Sequence, residues 1–274
     1  MENEQVLVIE TELFEKIGRF VGFNPNARPY MDAIYNPQNV QYIDREAAEK
    51  DPRYKQIIPY AVFERTDPNT GKIQLFRYYR GHGQGESRLI GRASLGVGGH
   101  INRSDDSEDP FTAGLRREVE EEVKFVSGPG SESIYKIPSA REVGLINDES
   151  DEVGRVHLGV VLLYRIPYGN LEPKESTMLD AAFVGIADLY KTMEELEGWS
   201  KSCLQTLYPL SEYFAPEDYV GMAHAEATSL AAGCGSTCRI TRLEGKGMVG
   251  TMDYVPTRLN FEVEEGRVCK VTRG

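Results

Sequence analysis

The chain has 274 residues, 40% hydrophobic and 27% charged, with a net charge of -12 and four cysteines. Those proportions fit a globular protein of one large or two ordinary domains. They exclude bulk binding to a nucleic-acid backbone, which needs a basic surface, and a disulfide scaffold, for which four cysteines are too few at this size.

The opening MENEQVLVIETELFEKIG carries acidic residues where an export signal has a basic region, and no apolar run reaches the roughly 20 residues that span a bilayer. The expectation is a cytoplasmic protein with reduced thiols and no membrane partner. Residues 1–55 mix a short apolar strand (VLVIE), a helical stretch (ELFEKIGRF), a Pro/Asn-rich segment and a charged helix candidate (DREAAEKD). They read as an extension packed on the main domain. Residues 56–208 have an α/β texture. IIPYAVFER and KIQLFRYYR alternate and are bridged by TDPNTG, a hairpin pattern. A glycine-rich run, GQGESRLIGRASLGVGG, follows. REVGLIND, RVHLGVVLLYRI and AAFVGI read as further strands, and ADLYKTMEELEGWSKSCLQTLYPL as closing helices. YPLSEYFAPEDY breaks the pattern and places a linker at 209–218. Residues 219–274 restart with a short Ala-rich helix, a strand, a loop and a tight hairpin turning at EEG, enough for a small α+β domain.

Chemistry concentrates in GGHINRSDDSEDPFTAGLRREVEEEVKF, Gly98 to Phe125. Asp109-Pro110 fits a helix start. At helical spacing Phe111, Leu115, Val119, Val123 and Val126 form one apolar stripe, and Glu118, Glu121 and Glu122 share an arc beside it, while Glu120 faces solvent. Carboxylates gathered at the edge of a buried face repel one another unless a cation sits among them, and oxygen donors suit Mg²⁺ or Mn²⁺. Gly98-Gly99 lets backbone approach a ligand closely.

The stretch resembles the Nudix box, G-x5-E-x7-R-E-U-x-E-E-x-G-U with U apolar. Arg117, Glu118, Val119, Glu121, Glu122 and Phe125 stand in register. Counting back from Arg117 puts Asp109 where the family has Glu, with about four extra residues in the loop NRSDDSED; Lys124 replaces the late glycine. The resemblance extends over most of residues 5–208 to a bacterial group of Nudix phosphoesterases. It implies an α/β/α sandwich that hydrolyses a nucleoside diphosphate linked to another moiety. Glu118, Glu121, Glu122 and the Gly98 carbonyl would hold the metal. Glu118 would be a ligand or the general base, and Arg117 would orient the carboxylates. Asp109 would hold a metal-bound water. A distal acid is expected in NDESDEVGRVH, with Glu152 the choice among Asp148, Glu149 and Asp151. His100 is a candidate substrate contact. His157 and the aromatics Tyr60, Phe63 and Tyr79 read better as core, and no choice is made among Arg77, Arg80, Arg88 and Arg92. The alternative function is a non-catalytic nucleotide-binding sensor or a protease inhibitor acting through a C-terminal loop.

The tail resembles the potato inhibitor I family and its bacterial relatives over about Tyr219 to Gly274. That resemblance implies a reactive bond at Met252-Asp253, Arg258 bracing the loop from below, and a protease partner. Val255 and Asn260 stand where bracing arginines are frequent. Cys234, Cys238 and Cys269 fit no common zinc pattern and read as free thiols.

Overall fold

The computed structural model describes residues 4–82, 87–105, 107, 109–127, 139–167, 169–234 and 236–274. The start of the glycine-rich run, residues 83–86, and two acids of the loop before the acidic helix, Asp106 and Glu108, lie outside them. The chain divides into two compact units: Met1–Gly185 with Thr192–Cys203, and Ile186–Lys191 with Leu204–Gly274.

The first unit is organised by two long strands, Tyr54–Thr66 and His157–Ile166, which pair in parallel from Gln56↔His157 to Arg65↔Ile166. Both are buried along nearly their whole length, which explains their continuous apolar character. Ala140–Asn147 pairs antiparallel beyond the second, and the short Gly22–Asn24 closes that side. On the other side Tyr54–Thr66 turns through Asp67–Lys72 into Ile73–Arg80, as the hairpin pattern predicts. Asp67 shapes this turn by accepting from the Asn69 backbone and the Thr70 hydroxyl. Met178–Gly185 pairs outside Ile73–Arg80.

The first 55 residues join this sheet. Gln5–Glu10 pairs with Val40–Asp44 and with the start of the long strand, Ile9 opposite Lys55. Two elements there were not legible in the Pro/Asn-rich segment, the strand Val40–Asp44 and the helix Arg28–Ile34. They form because Tyr30, Met31 and Ile34 bury against Phe14 and the sheet. Behind them Lys55, 2% exposed, donates to Asn147 Oδ1 and the Arg155 carbonyl, both at 2.8 Å.

The acidic helix is shorter than its apolar stripe predicts. It runs Pro110–Glu122, and Val123–Val126 is a strand paired with Asn170–Pro173. Val123 and Val126 are buried, but from a strand, where β-branched side chains pack well. Glu122 is therefore the last residue of the helix.

In the second unit Thr237–Leu243 and Arg258–Glu264 pair in parallel, and Arg267–Arg273 pairs antiparallel with the latter. The helix His224–Gly233 contributes buried Ala227 and Ala231. The EEG turn holds Glu265 and Gly266 both at positive φ, as a two-residue hairpin requires. The expected linker is not extended. Leu210–Tyr213 and Pro216–Tyr219 are helical, and buried Phe214 packs on Tyr219 at 4.6 Å between ring centroids. All four cysteines are free. Among the described residues no helix is long and apolar enough to cross a membrane.

Candidate active site

A cavity of about 1000 Å³ opens in the first unit. Its wall combines the end of the acidic helix (Glu122), the glycine turn (Gly98, Gly99, His100), the end of Ile73–Arg80 (Arg80), and the segments carrying Asp148–His157 and Glu197–Trp199. Short strands Ala93–Ser94 and Gly96–Val97 deliver the glycine turn by pairing with Ile73–Arg80 and Tyr54–Thr66. Backbone leaves no room for a side chain at the first turn position, and the Glu118 carboxylate crowds the second. A Cβ on Gly98 would stand 2.0 Å from the Pro59 carbonyl oxygen, and one on Gly99 would stand 2.5 Å from the Glu118 carboxylate.

Arg117 is the hub beside this turn. It donates to Glu118 at 2.8 Å, to Glu121 at 3.2 Å and to the His100 carbonyl at 2.9 Å. It also grips both carboxylate oxygens of buried Asp105, each at 2.9 Å. The Asp105 bond and the neighbouring Glu118 hold the Arg117 pKa above its ordinary value against the effect of burial. Asp105 is burdened by burial, but Arg117 keeps its carboxyl below the ordinary value. Asp105, not Asp109, is thus the acid tied to the motif arginine. It stands six residues after Gly99, the family's own spacing, so the extra residues fall between this acid and the helix. Asp109 instead caps the helix, accepting from the Thr112 backbone at 3.0 Å.

The three motif glutamates differ in their surroundings. Glu121 is exposed and pairs with Arg117 at 3.2 Å. Glu118 is largely buried, and burial raises its pKa although Arg117 opposes the shift. Glu122 Oε2 is buried with no hydrogen-bond partner. Burial, with Glu118 and Glu175 nearby, pushes the Glu122 pKa up to about 8. Among the described residues no three His, Cys, Asp or Glu side chains converge as a ready metal cluster. Two of the three glutamates are drawn onto Arg117. The orphaned Glu122 oxygen nonetheless fits a hard cation in a way no neutral neighbour would.

His100 and His157 meet across the cavity, Nε2 to Nε2 at 3.3 Å. His157 Nδ1 donates to the Val153 carbonyl at 2.7 Å, so its Nε2 is the acceptor for His100. Burial, with Arg45 and His157 alongside, depresses the His100 pKa to about 3, so His100 is neutral. Glu152 lines the cavity but is exposed on a short helix, Glu152–Arg155. Asp151 caps that helix and pairs with Arg88, and Glu149 turns away to Arg19 at 2.5 Å.

The sequence reading missed Glu197, 5% exposed, on the cavity wall. Its Oε1 accepts from the hydroxyls of Tyr60 and Ser94, both at 2.7 Å, with the Ser200 hydroxyl at 3.2 Å. Its Oε2 lies 3.2 Å from Arg80 Nε. Tyr60 is buried as expected, but its hydroxyl serves this carboxylate. Trp199, next along, packs on Tyr60 and over Gly159. The one sequence signal was an acid beside the lone tryptophan in EGWSKSC.

No family model matches the chain. It is 34% identical over 170 residues to protein YmaB of Bacillus subtilis (strain 168), covering 60% of this chain and 76% of that one. It is 31% identical to the solved structure of Tm1382, a candidate Nudix hydrolase, at a TM-score of 0.60, covering 76% of this chain and all of that one. A Nudix domain of Shewanella oneidensis NrtR, solved with ADP ribose, is 12% identical at a TM-score of 0.41, covering 55% of this chain and 84% of that one, a likeness too distant to carry an argument. None of these likenesses speaks of an inhibitor-like domain, which rests on the tail's own residues. With Glu122 of the motif on the cavity wall beside the glycine turn, and Tm1382 matched over its full length, the chain belongs to the Nudix hydrolase family and is an enzyme of it.

Proposed function

We propose that the chain hydrolyses the pyrophosphate of a nucleoside diphosphate linked to a second moiety, with Mg²⁺ or Mn²⁺ as cofactor. The observation that carries this reading is the orphaned, buried Glu122 oxygen at the wall of a 1000 Å³ cavity. Glu122, Glu118 and Glu121, with the Gly98 carbonyl, are the residues that would hold the metal. When bound, the metal neutralises pyrophosphate charge and polarises phosphorus. Arg117 keeps Glu118 and Glu121 on one side of the helix. Glu118, whose pKa burial raises, is suited to take a proton from an attacking water. The Gly98-Gly99 turn lets the substrate approach backbone, and neutral His100, in contact with His157, forms part of one wall. Glu152 stands at the rim as a lesser candidate for substrate contact. The test is hydrolysis of a panel of nucleoside diphosphate derivatives with Mg²⁺, Mn²⁺ or chelator, beside Glu122→Gln. Turnover of one class, lost with chelator and in the variant, supports the reading. Metal binding without any turnover favours a nucleotide sensor instead.

A second reading concerns the tail. Met252 is 103% exposed in the loop between the parallel strands, and the loop is held from below. Arg258 donates to Asp253 Oδ2 at 3.0 Å and to the Asp253 carbonyl at 2.5 Å, and Arg239 to the Thr251 carbonyl at 2.7 Å. A pre-ordered loop loses little entropy on binding, which supports presentation of Met252 to a protease cleft. Inhibition of subtilisin-like and chymotrypsin-like proteases by the wild type, lost in Met252→Gly, is the expected result. No inhibition by the wild type would retire the idea.

A further inference from the structure

The cavity holds unsatisfied groups of both signs. Glu122 Oε2 has no hydrogen-bond partner, and neither has Arg80 Nε. Arg80 is 17% exposed, and among the described residues its guanidinium makes an ion pair with Glu197 at 3.2 Å but no hydrogen bond. The Nε–H is one of the guanidinium's five donors, and leaving it unused out of water is costly. The other arginines of the cavity wall are engaged. Arg45 donates to Glu4 and Glu49, Arg88 to Asp151, and Arg92 to the Leu196 carbonyl. Arg77, on the same strand, lies over the Tyr79 ring instead of on the cavity wall.

Glu122 and Arg80 influence each other's ionisation yet do not bond. A lone anion at Arg80 would be repelled by Glu122, and a lone cation at Glu122 by Arg80. A ligand that brings a cation and an anion together satisfies both, and a metal-bound pyrophosphate is such a ligand. Glu197 has no freedom to swing: two hydroxyls at 2.7 Å and a third at 3.2 Å fix one oxygen, leaving the other beside Arg80 Nε. A carboxylate so fixed sets the direction of the planar guanidinium, whose fork matches phosphate oxygens.

We propose that Arg80 is the side chain that grips the substrate's pyrophosphate, and that Glu197 is the positioning residue that aims it. The proposal rests on the pyrophosphohydrolase reading and deepens it by naming the anion-holding group.

The test uses methylenediphosphonate, a non-hydrolysable pyrophosphate, with Mn²⁺. Trp199 is the single tryptophan and lines the cavity, so its fluorescence reports diphosphonate binding, while calorimetry reports Mn²⁺ alone. Arg80→Met should weaken diphosphonate by roughly tenfold or more, the scale of one lost charge-assisted bond. Its affinity for Mn²⁺ alone should hold or improve, because a positive charge beside Glu122 is gone. Arg80→Lys should recover part of the loss. Glu197→Gln keeps the Arg80 charge but loosens its aim, so diphosphonate should weaken several-fold with Mn²⁺ unchanged. A merely structural role would lower both affinities together, and that result overturns the proposal. So does Arg80→Met binding diphosphonate like the wild type, or a wild type that takes Mn²⁺ but no diphosphonate. Failure of the hydrolase reading shows elsewhere, as Glu122→Gln binding Mn²⁺ as tightly as the wild type.

Discussion

The cavity of the first unit and the loop 248–257 of the second present their chemistry in opposite ways. In the cavity, polar atoms of charged groups are withheld from water: Glu122 Oε2 and Arg80 Nε are buried and make no hydrogen bond among the described residues. In the loop, apolar groups stand in water: Val249 and Met252 are fully exposed on a backbone held by Arg239 and Arg258. Each arrangement is unfavourable for the isolated chain. A buried charge without a partner carries a desolvation penalty, and clustered exposed apolar groups mark an interaction surface. The difference lies in what would relieve each. A small ligand carrying charge relieves the cavity; a macromolecular surface with an apolar cleft relieves the loop.

Four experiments would break or sharpen that contrast. Glu122→Gln should lower hydrolysis roughly a thousandfold, the scale of a lost metal ligand, while leaving the metal-free protein as stable or more stable. The sign follows from the pKa. Its folded value of about 8 is above the ordinary 4.5, so the group's contribution to stability is present at low pH and is lost as pH rises towards 8. The neutral amide escapes that loss, and thermal midpoints without metal should differ most above pH 8. A variant both inactive and less stable would argue that Glu122 is structural.

Arg117→Ala should cost about 3–5 kcal/mol in urea unfolding, because it strands the buried Asp105 carboxylate. Stability near wild type would mean the hub exists only to hold the glutamates.

Lys55, held to Asn147 and the Arg155 carbonyl behind the cavity wall, supplies a third test. Burial lowers its pKa to about 8 from 10.5, so between those values the unfolded chain binds more protons and stability rises with pH, by at most about 1.4 kcal/mol per pH unit. Lys55→Met should remove that rise, and an unchanged profile would place its source at another group.

The smallest effect is expected in the tail. Arg258→Ala should speed cleavage within residues 251–255 by protease several-fold while leaving pyrophosphate hydrolysis untouched. Mass spectrometry of the fragments checks the site. An equally resistant loop would show that Arg239 suffices as a brace.

How legible was this molecule? The hairpin at Asp67–Lys72, the long apolar strands and the EEG turn follow from local pattern, since alternation, apolar runs and turn residues act over a few positions. The end of the acidic helix did not. Val123 and Val126 continue the helical stripe, and pairing with Asn170–Pro173, some fifty residues on, makes them a strand. Val40–Asp44 stayed hidden for the same reason: it forms against Gln5–Glu10, across a segment rich in Pro and Asn.

The sequence by itself determined the class of chemistry. Glycines before a helix, an arginine and three glutamates at helical spacing are a local code, because a helix fixes which side chains share a face. Only the tertiary structure decided how those groups are partnered. It gave Arg117 to Asp105 instead of Asp109, left the Glu122 oxygen orphaned, and set Arg80 beside Glu197 from residues more than a hundred positions away. Burial and partnership depend on which strands and loops meet, and no local spacing encodes that.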